Sequence, residues 1–124
     1  MAKEKVLIID DDLNIIRSIS FVLEREGYIV ITATDGKEAL KKAKEELPNL
    51  IILDIILPEL NGFEVYKLLK ADTRTREIRI IVLTAKGDKK NERLSKELGV
   101  DAYMTKPFNI NTLLLEVKKI LDKD

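Results

Sequence analysis

The sequence predicts an α/β fold, a doubly wound parallel sheet of five strands with five helices. Three observations carry the prediction. The runs Val6 to Ile9, Leu50 to Leu53 and Ile80 to Leu83 are apolar throughout, the pattern of strands covered by helices on both faces. Between these runs the apolar residues recur at helical spacing, so strand and helix alternate along the chain. Each run also ends on polar residues, which a parallel sheet would bring to a single edge.

The elements follow in order. After strand one, Ile15, Ile16, Ile19, Val22 and Leu23 form the inner stripe of a first helix, which Asp12 can cap and which Gly27 stops in a left-handed conformation. Residues 28–33 read as strand two, and 37–46 as a helix ended by Pro48. Strand three is Leu50 to Leu53. A flexible loop from Pro58 to Gly62 leads into a third helix, from Phe63 to about Lys70. Strand four is Ile80 to Leu83. A fourth helix over 86–97 is mostly Lys, Glu, Asp and Asn, with Leu94 and Leu98 as its main anchors, so it should be loosely held. Ala102 to Thr105 form strand five. Leu113, Leu114, Val117, Ile120 and Leu121 mark the last helix, with Asn109 or Asn111 available as its cap.

Composition narrows the function. A length of 124 residues suits one compact domain spanning 1–124, without room for a second, effector domain. Charge is balanced, 22 basic against 22 acidic residues, and no Lys/Arg stripe follows a phosphate backbone, which argues against direct nucleic-acid binding. No apolar run reaches the ~20 residues that cross a bilayer, and the first residues lack a signal-peptide core, so a cytoplasmic protein without membrane insertion is expected. The chain has no cysteine and no histidine, which removes thiolate catalysis, the common zinc sites and Ser-His chemistry.

The polar residues at the strand ends form one constellation. Asp10 and Asp11 follow strand one, Asp54 follows strand three, Thr84 follows strand four, and Lys106 with Pro107 follows strand five. Singly, each has a structural explanation as a turn, cap or surface residue. Gathered at one sheet edge, they describe a site for phosphoryl transfer. Carboxylates brought together repel and need a counter-charge, which a hard cation such as Mg²⁺ supplies through oxygen ligands, with Mn²⁺ as a substitute. The Lys106 ammonium and the Thr84 hydroxyl can neutralise and bind phosphoryl oxygens, and Asp54, on the central strand, is the candidate nucleophile. No Gly-rich phosphate loop of the Gly-x-x-x-x-Gly-Lys-[Ser/Thr] type exists, so ATP is not expected as substrate.

The segments Val6 to Asp12, Leu53 to Gly62, Val82 to Ala85 and Lys106 to Phe108 resemble the receiver domain of two-component response regulators, over essentially the whole chain. The resemblance implies a flavodoxin-like sheet of order 2-1-3-4-5. It implies phosphorylation of Asp54 by a phosphohistidine on a sensor histidine kinase or histidine phosphotransfer protein. Since the chain has no histidine, that donor is another molecule. Mg²⁺ would be held by Asp11, Asp54 and the Ile56 carbonyl, with Asp10 acting through water. Thr84 and Lys106 would contact the phosphoryl group, and Lys106–Pro107 would be a cis peptide that aims the lysine.

The same resemblance implies a switch in which Thr84 moves toward the phosphoryl group and Tyr103 turns inward. Output would come from helix four, strand five and helix five, while helix one and the loop after strand five would dock the kinase. A stand-alone, monomeric relay or output protein is the expectation, its downstream target not legible in the sequence. Ile56 and Lys86 flank the expected path of an attacking water, and neither can orient it, so slow hydrolysis of the aspartyl phosphate is expected. Two alternatives stand beside this reading. One is a haloacid-dehalogenase-type phosphatase with Asp10 as nucleophile, whose pattern Asn14 breaks. The other is a receiver-like binding module that is never phosphorylated.

Overall fold

The computed structural model describes residues 3–122, so the outermost two residues at each end of the expected 1–124 domain lie outside it. Strands and helices alternate as β1 (Lys5–Ile9), α1 (Leu13–Arg25), β2 (Ile29–Ala33), α2 (Gly36–Glu46), β3 (Leu50–Asp54), α3 (Gly62–Ala71), β4 (Arg79–Ala85), α4 (Lys89–Leu98), β5 (Ala102–Lys106) and α5 (Ile110–Leu121). All strand pairs are parallel and the order is β2-β1-β3-β4-β5, the flavodoxin-like arrangement expected.

The apolar runs divide by the pleat, since successive side chains point to opposite faces. Val6, Ile8, Leu50, Ile52, Ile81 and Leu83 face α1 and α5, meeting Ile16, Ile19, Leu23, Leu113 and Val117. Leu7, Ile9, Ile51, Leu53, Ile80 and Val82 face the other way, toward Ala39 and Ala43 of α2 and Phe63, Val65, Tyr66 and Leu69 of α3. Two cores therefore sandwich one sheet, which explains why β3 is buried at all five positions.

The helix ends refine the expectations. Asp12 caps α1, its Oδ1 accepting from the Asn14 and Ile15 N–H groups at 2.9 and 3.4 Å. Asn109, not Asn111, caps α5. The stop of α2 is Leu47 in the left-handed region (φ 46), one residue before the expected Pro48. Asn61 and Glu64 form a capping box at the start of α3, an Asn-x-x-Glu spacing visible in the sequence. The fourth helix does not begin at residue 86. Residues 86–88 form a turn through Gly87 (φ 84), and Asp88 caps a helix that starts at Lys89. Leu94 and Leu98 pack on the core as expected but only partly buried, and the one buried residue of α4 is Ser95.

Candidate functional site

The sheet order reverses between β1 and β3, since the chain leaves β1 for β2 on one side and returns to β3 on the other. Ligands of doubly wound sheets bind outside the strand C-termini at this point. Asp10 lies one residue beyond β1, and Asp54 is the last residue of β3. The register of Ile9 with Leu53 sets them side by side. Thr84 lies inside β4, one residue before its end and opposite Thr105, so strand four runs further than expected. Lys106 ends β5, followed by a cis bond to Pro107.

The Lys106 ammonium joins the acids, with Nζ 2.9 Å from Asp10 Oδ2 and 2.8 Å from Asp54 Oδ2. The other oxygens are held by backbone: the Asp12 N–H donates to Asp10 Oδ1 at 2.9 Å and the Ile56 N–H to Asp54 Oδ1 at 3.1 Å. Asp10 and Asp54 are buried while Asp11 is exposed. Carboxylate oxygens of Asp10, Asp11 and Asp54 lie within 4.8 Å of one another. This set of hard oxygen donors fits a cation of the Mg²⁺ class. The Asp11 carboxylate accepts no hydrogen bond from the described residues, which leaves it free as a ligand.

Burial pushes the Asp54 carboxyl above its ordinary range, helped by the charge of Asp10, while the Lys106 hydrogen bond and the Ile56 N–H pull the other way. Burial alone would lower the Lys106 ammonium. Its hydrogen bonds to Asp10 and Asp54, with their charges, outweigh that and hold it above the usual lysine range. The Lys106 ammonium, shared with a second carboxylate, thus only partly offsets the burial of Asp54. Thr84 is nearly inaccessible, and its Oγ1 has no hydrogen-bond partner among the described residues. Such an orphan costs about 1–3 kcal/mol, so the hydroxyl gains from any acceptor placed within reach.

Asp10, Asp11, Asp54 and Lys106 thus come together, while Thr84 stands near the end of β4 without a hydrogen bond to any of them, and Tyr103 is half-buried on β5. The Pro58-to-Gly62 loop is braced rather than free: the Gly62 N–H donates to the Ile55 carbonyl at 2.8 Å. Gly62 also touches the site directly. A Cβ there would stand 2.6 Å from the Asp54 carbonyl oxygen, a constraint that a glycine at a helix start signals only weakly in sequence. The phosphatase alternative is not favoured, since its nucleophile, Asp10, is wholly inaccessible, whereas the Asp54 side chain keeps 7% of its surface open to solvent.

Residues 6–118 match the response regulator receiver domain family. The alkaline phosphatase synthesis transcriptional regulatory protein PhoP of Bacillus subtilis is 48% identical over 118 residues, 95% of this chain and 48% of PhoP. The structure of the chemotaxis response regulator CheY4 of Vibrio cholerae is 34% identical with a TM-score of 0.88, covering 97% of this chain and 100% of CheY4. The receiver domain of the sensor histidine kinase PA1611 from Pseudomonas aeruginosa is 25% identical with a TM-score of 0.88, covering 98% of this chain and 100% of that one. That structure has a magnesium ion coordinated in its active-site cleft. The chain spans about half the length of the curated relatives it matches. With its sheet order, its acidic switch-point site and a match over nearly its full length, the chain belongs to the response regulator receiver domain family.

Proposed function

We propose that this receiver accepts a phosphoryl group on Asp54 from a phosphohistidine of a sensor histidine kinase or histidine phosphotransfer protein, and signals through α4, β5 and α5. The observation that carries the reading is the Lys106 ammonium held between Asp10 and Asp54 at 2.9 and 2.8 Å, at the switch point of the sheet. An Asp54 oxygen attacks phosphorus in line. The new P–O bond forms as the P–N bond to the donor imidazole breaks, and the electron pair returns to that nitrogen, which takes up a proton as it leaves.

Lys106 moves from bridging two carboxylates to binding a phosphoryl oxygen, and Thr84 gives its unpartnered hydroxyl to another. Asp11, Asp54 and the Ile56 carbonyl would hold Mg²⁺, with Asp10 behind them, and Mn²⁺ would substitute. When bound, the cation supplies positive charge for the phosphoryl oxygens and offsets repulsion among the acids. Ile56, 60% exposed at the mouth, and the exposed Lys86 leave an attacking water without an orienting acid or amide, so the acyl phosphate is long-lived.

Beside Lys106 lies an apolar groove of about 780 Å³ lined by Ile15, Phe21, Val22, Pro107 and Phe108. Phe21 is 62% exposed, and burying such a ring against a partner is worth about 1.5–3 kcal/mol, so this face suits the phosphodonor protein. Among the described residues no helix is long and apolar enough to cross a membrane. The reading places the domain in the cytoplasm, as a monomer, with no direct contact to nucleic acid through these residues.

The test is phosphorylation with acetyl phosphate and Mg²⁺, followed by intact mass. The wild type should gain one phosphoryl group and Asp54→Asn none. An adduct that survives in Asp54→Asn, or a wild type that neither gains the group nor binds beryllofluoride, refutes the proposal.

A further inference from the structure

Tyr103, on β5, packs against the core that α2, α3 and α4 cover. Across from it, Glu92 and Lys96 stand four residues apart on α4, the spacing at which glutamate and lysine ordinarily pair with each other. Among the described residues they form no such pair. Both instead address the tyrosine: Glu92 Oε1 lies 3.5 Å from its hydroxyl, and Lys96 Nζ lies 5.7 Å from the centre of its ring. The first contact is long for a hydrogen bond and the second is within cation–π reach, so each is weak alone. Acting on the same ring from one helical turn, they favour a single position of the side chain.

The helix that holds them is itself lightly anchored. Its one buried residue is Ser95, whose hydroxyl turns back to the Asn91 carbonyl at 2.8 Å rather than bonding to the sheet. A back-bonded serine weakens a helix slightly, and a small side chain lets it shift. The ring lines a groove shared with Glu92, Pro107, Phe108 and Thr112, while Thr84 on the adjacent strand has a hydroxyl without a partner among the described residues.

We infer that Glu92 and Lys96 are positioning residues that clamp Tyr103 against α4 in the resting protein, so that releasing this clamp is part of activation. The inference rests on the receiver reading above, and it makes α4 more than an output surface, since its own side chains set the resting balance of the switch. A ligand that favours the switched state then binds more tightly once the clamp is removed, because less of its affinity is used to shift the population.

The experiment uses the full chain, tyrosine labelled with ¹³C in the ring, and beryllofluoride with Mg²⁺ as the phosphoryl mimic. The three tyrosines are assigned with Tyr28→Phe and Tyr66→Phe. Glu92→Ala and Lys96→Met are compared with Glu97→Ala and Lys89→Met, which change charge on α4 away from the ring, and far-UV circular dichroism checks that each variant folds. Each clamp variant should bind beryllofluoride about threefold more tightly, with the double variant gaining less than the product of the two. The Tyr103 resonance of the unliganded variants should move part of the way to its position in the beryllofluoride complex. A resonance that stays at the wild-type position with unchanged affinity overturns the clamp, as do control variants that move it equally. A wild type that binds no beryllofluoride overturns the receiver reading instead, and the unliganded Tyr103 resonance still decides whether the clamp exists.

Discussion

Replacing Gly62 by alanine separates local from tertiary control of the site, because the two give opposite signs. Gly62 is the first residue of α3, and its φ is not in the left-handed region. By helix propensity and unfolded-chain entropy alone, Gly62→Ala should stabilise the protein by about 0.4–1 kcal/mol. The packing says otherwise. The new Cβ would stand 2.5 Å from Ile55 Cα, 2.6 Å from the Asp54 carbonyl oxygen and 2.9 Å from the Ile55 carbonyl oxygen. Ordinary contact starts at 3.4 Å, so backbone must separate by about 0.9 Å, and no flexible side chain can absorb the shift.

Overpacking of this kind costs about 1–3 kcal/mol, and the rigid surroundings place Gly62→Ala near 2 kcal/mol destabilising after the propensity gain. For a chain of this length that lowers Tm by roughly 6–12 °C. The displaced segment carries Asp54 and Ile56, so Mg²⁺ affinity should fall about tenfold, or about 1.4 kcal/mol. Urea unfolding followed by circular dichroism suits a chain without tryptophan, and calorimetric titration measures the cation. A variant as stable as the wild type or more so, with unchanged Mg²⁺ affinity, would refute the claim that close backbone approach at Gly62 shapes the site.

Other outcomes follow from the same structure. Without Mg²⁺, Asp54→Asn should raise stability by about 1–2 kcal/mol at neutral pH, because it removes one of the two buried carboxylates that share the Lys106 ammonium, with the Asp11 carboxylate also nearby. The sign follows from the raised carboxyl: the folded state binds that proton more tightly, so wild-type stability falls as pH rises from the ordinary aspartate range through the folded value. The variant's advantage should vanish in acid, and urea titrations across pH test this. Leu47→Gly should stabilise by about 0.5–1 kcal/mol, since Leu47 holds a left-handed conformation (φ 46) while 53% exposed, and a Tm unchanged or lowered contradicts this. Ile56→Asn combined with Lys86→Glu should shorten the phospho-Asp54 half-life about tenfold by orienting water, measured by loss of phosphoryl mass over time.

What the sequence determined by itself was the order of the layers and the inventory of the site. Fully apolar runs mean strands covered on both faces, because any polar group there would lie unpaired in a core, so Val6 to Ile9 and Leu50 to Leu53 announced buried parallel strands. The polar residue ending each run then had to fall at the strand C-termini, and Asp10, Asp54, Thr84 and Lys106 do. Tertiary structure decided what local pattern cannot encode. Helix four starts at Lys89 rather than 86 because Gly87 turns the chain and Asp88 caps it, and a lysine-rich segment has no apolar stripe to reveal such a boundary. The Lys106 bridge to Asp10 and Asp54 spans 96 and 52 residues, and the approach of Gly62 to Asp54 and of Glu92 and Lys96 to Tyr103 crosses between elements. These are distances set by sheet register and helix packing, and a linear pattern carries residue types and spacings but not the separations that folding creates.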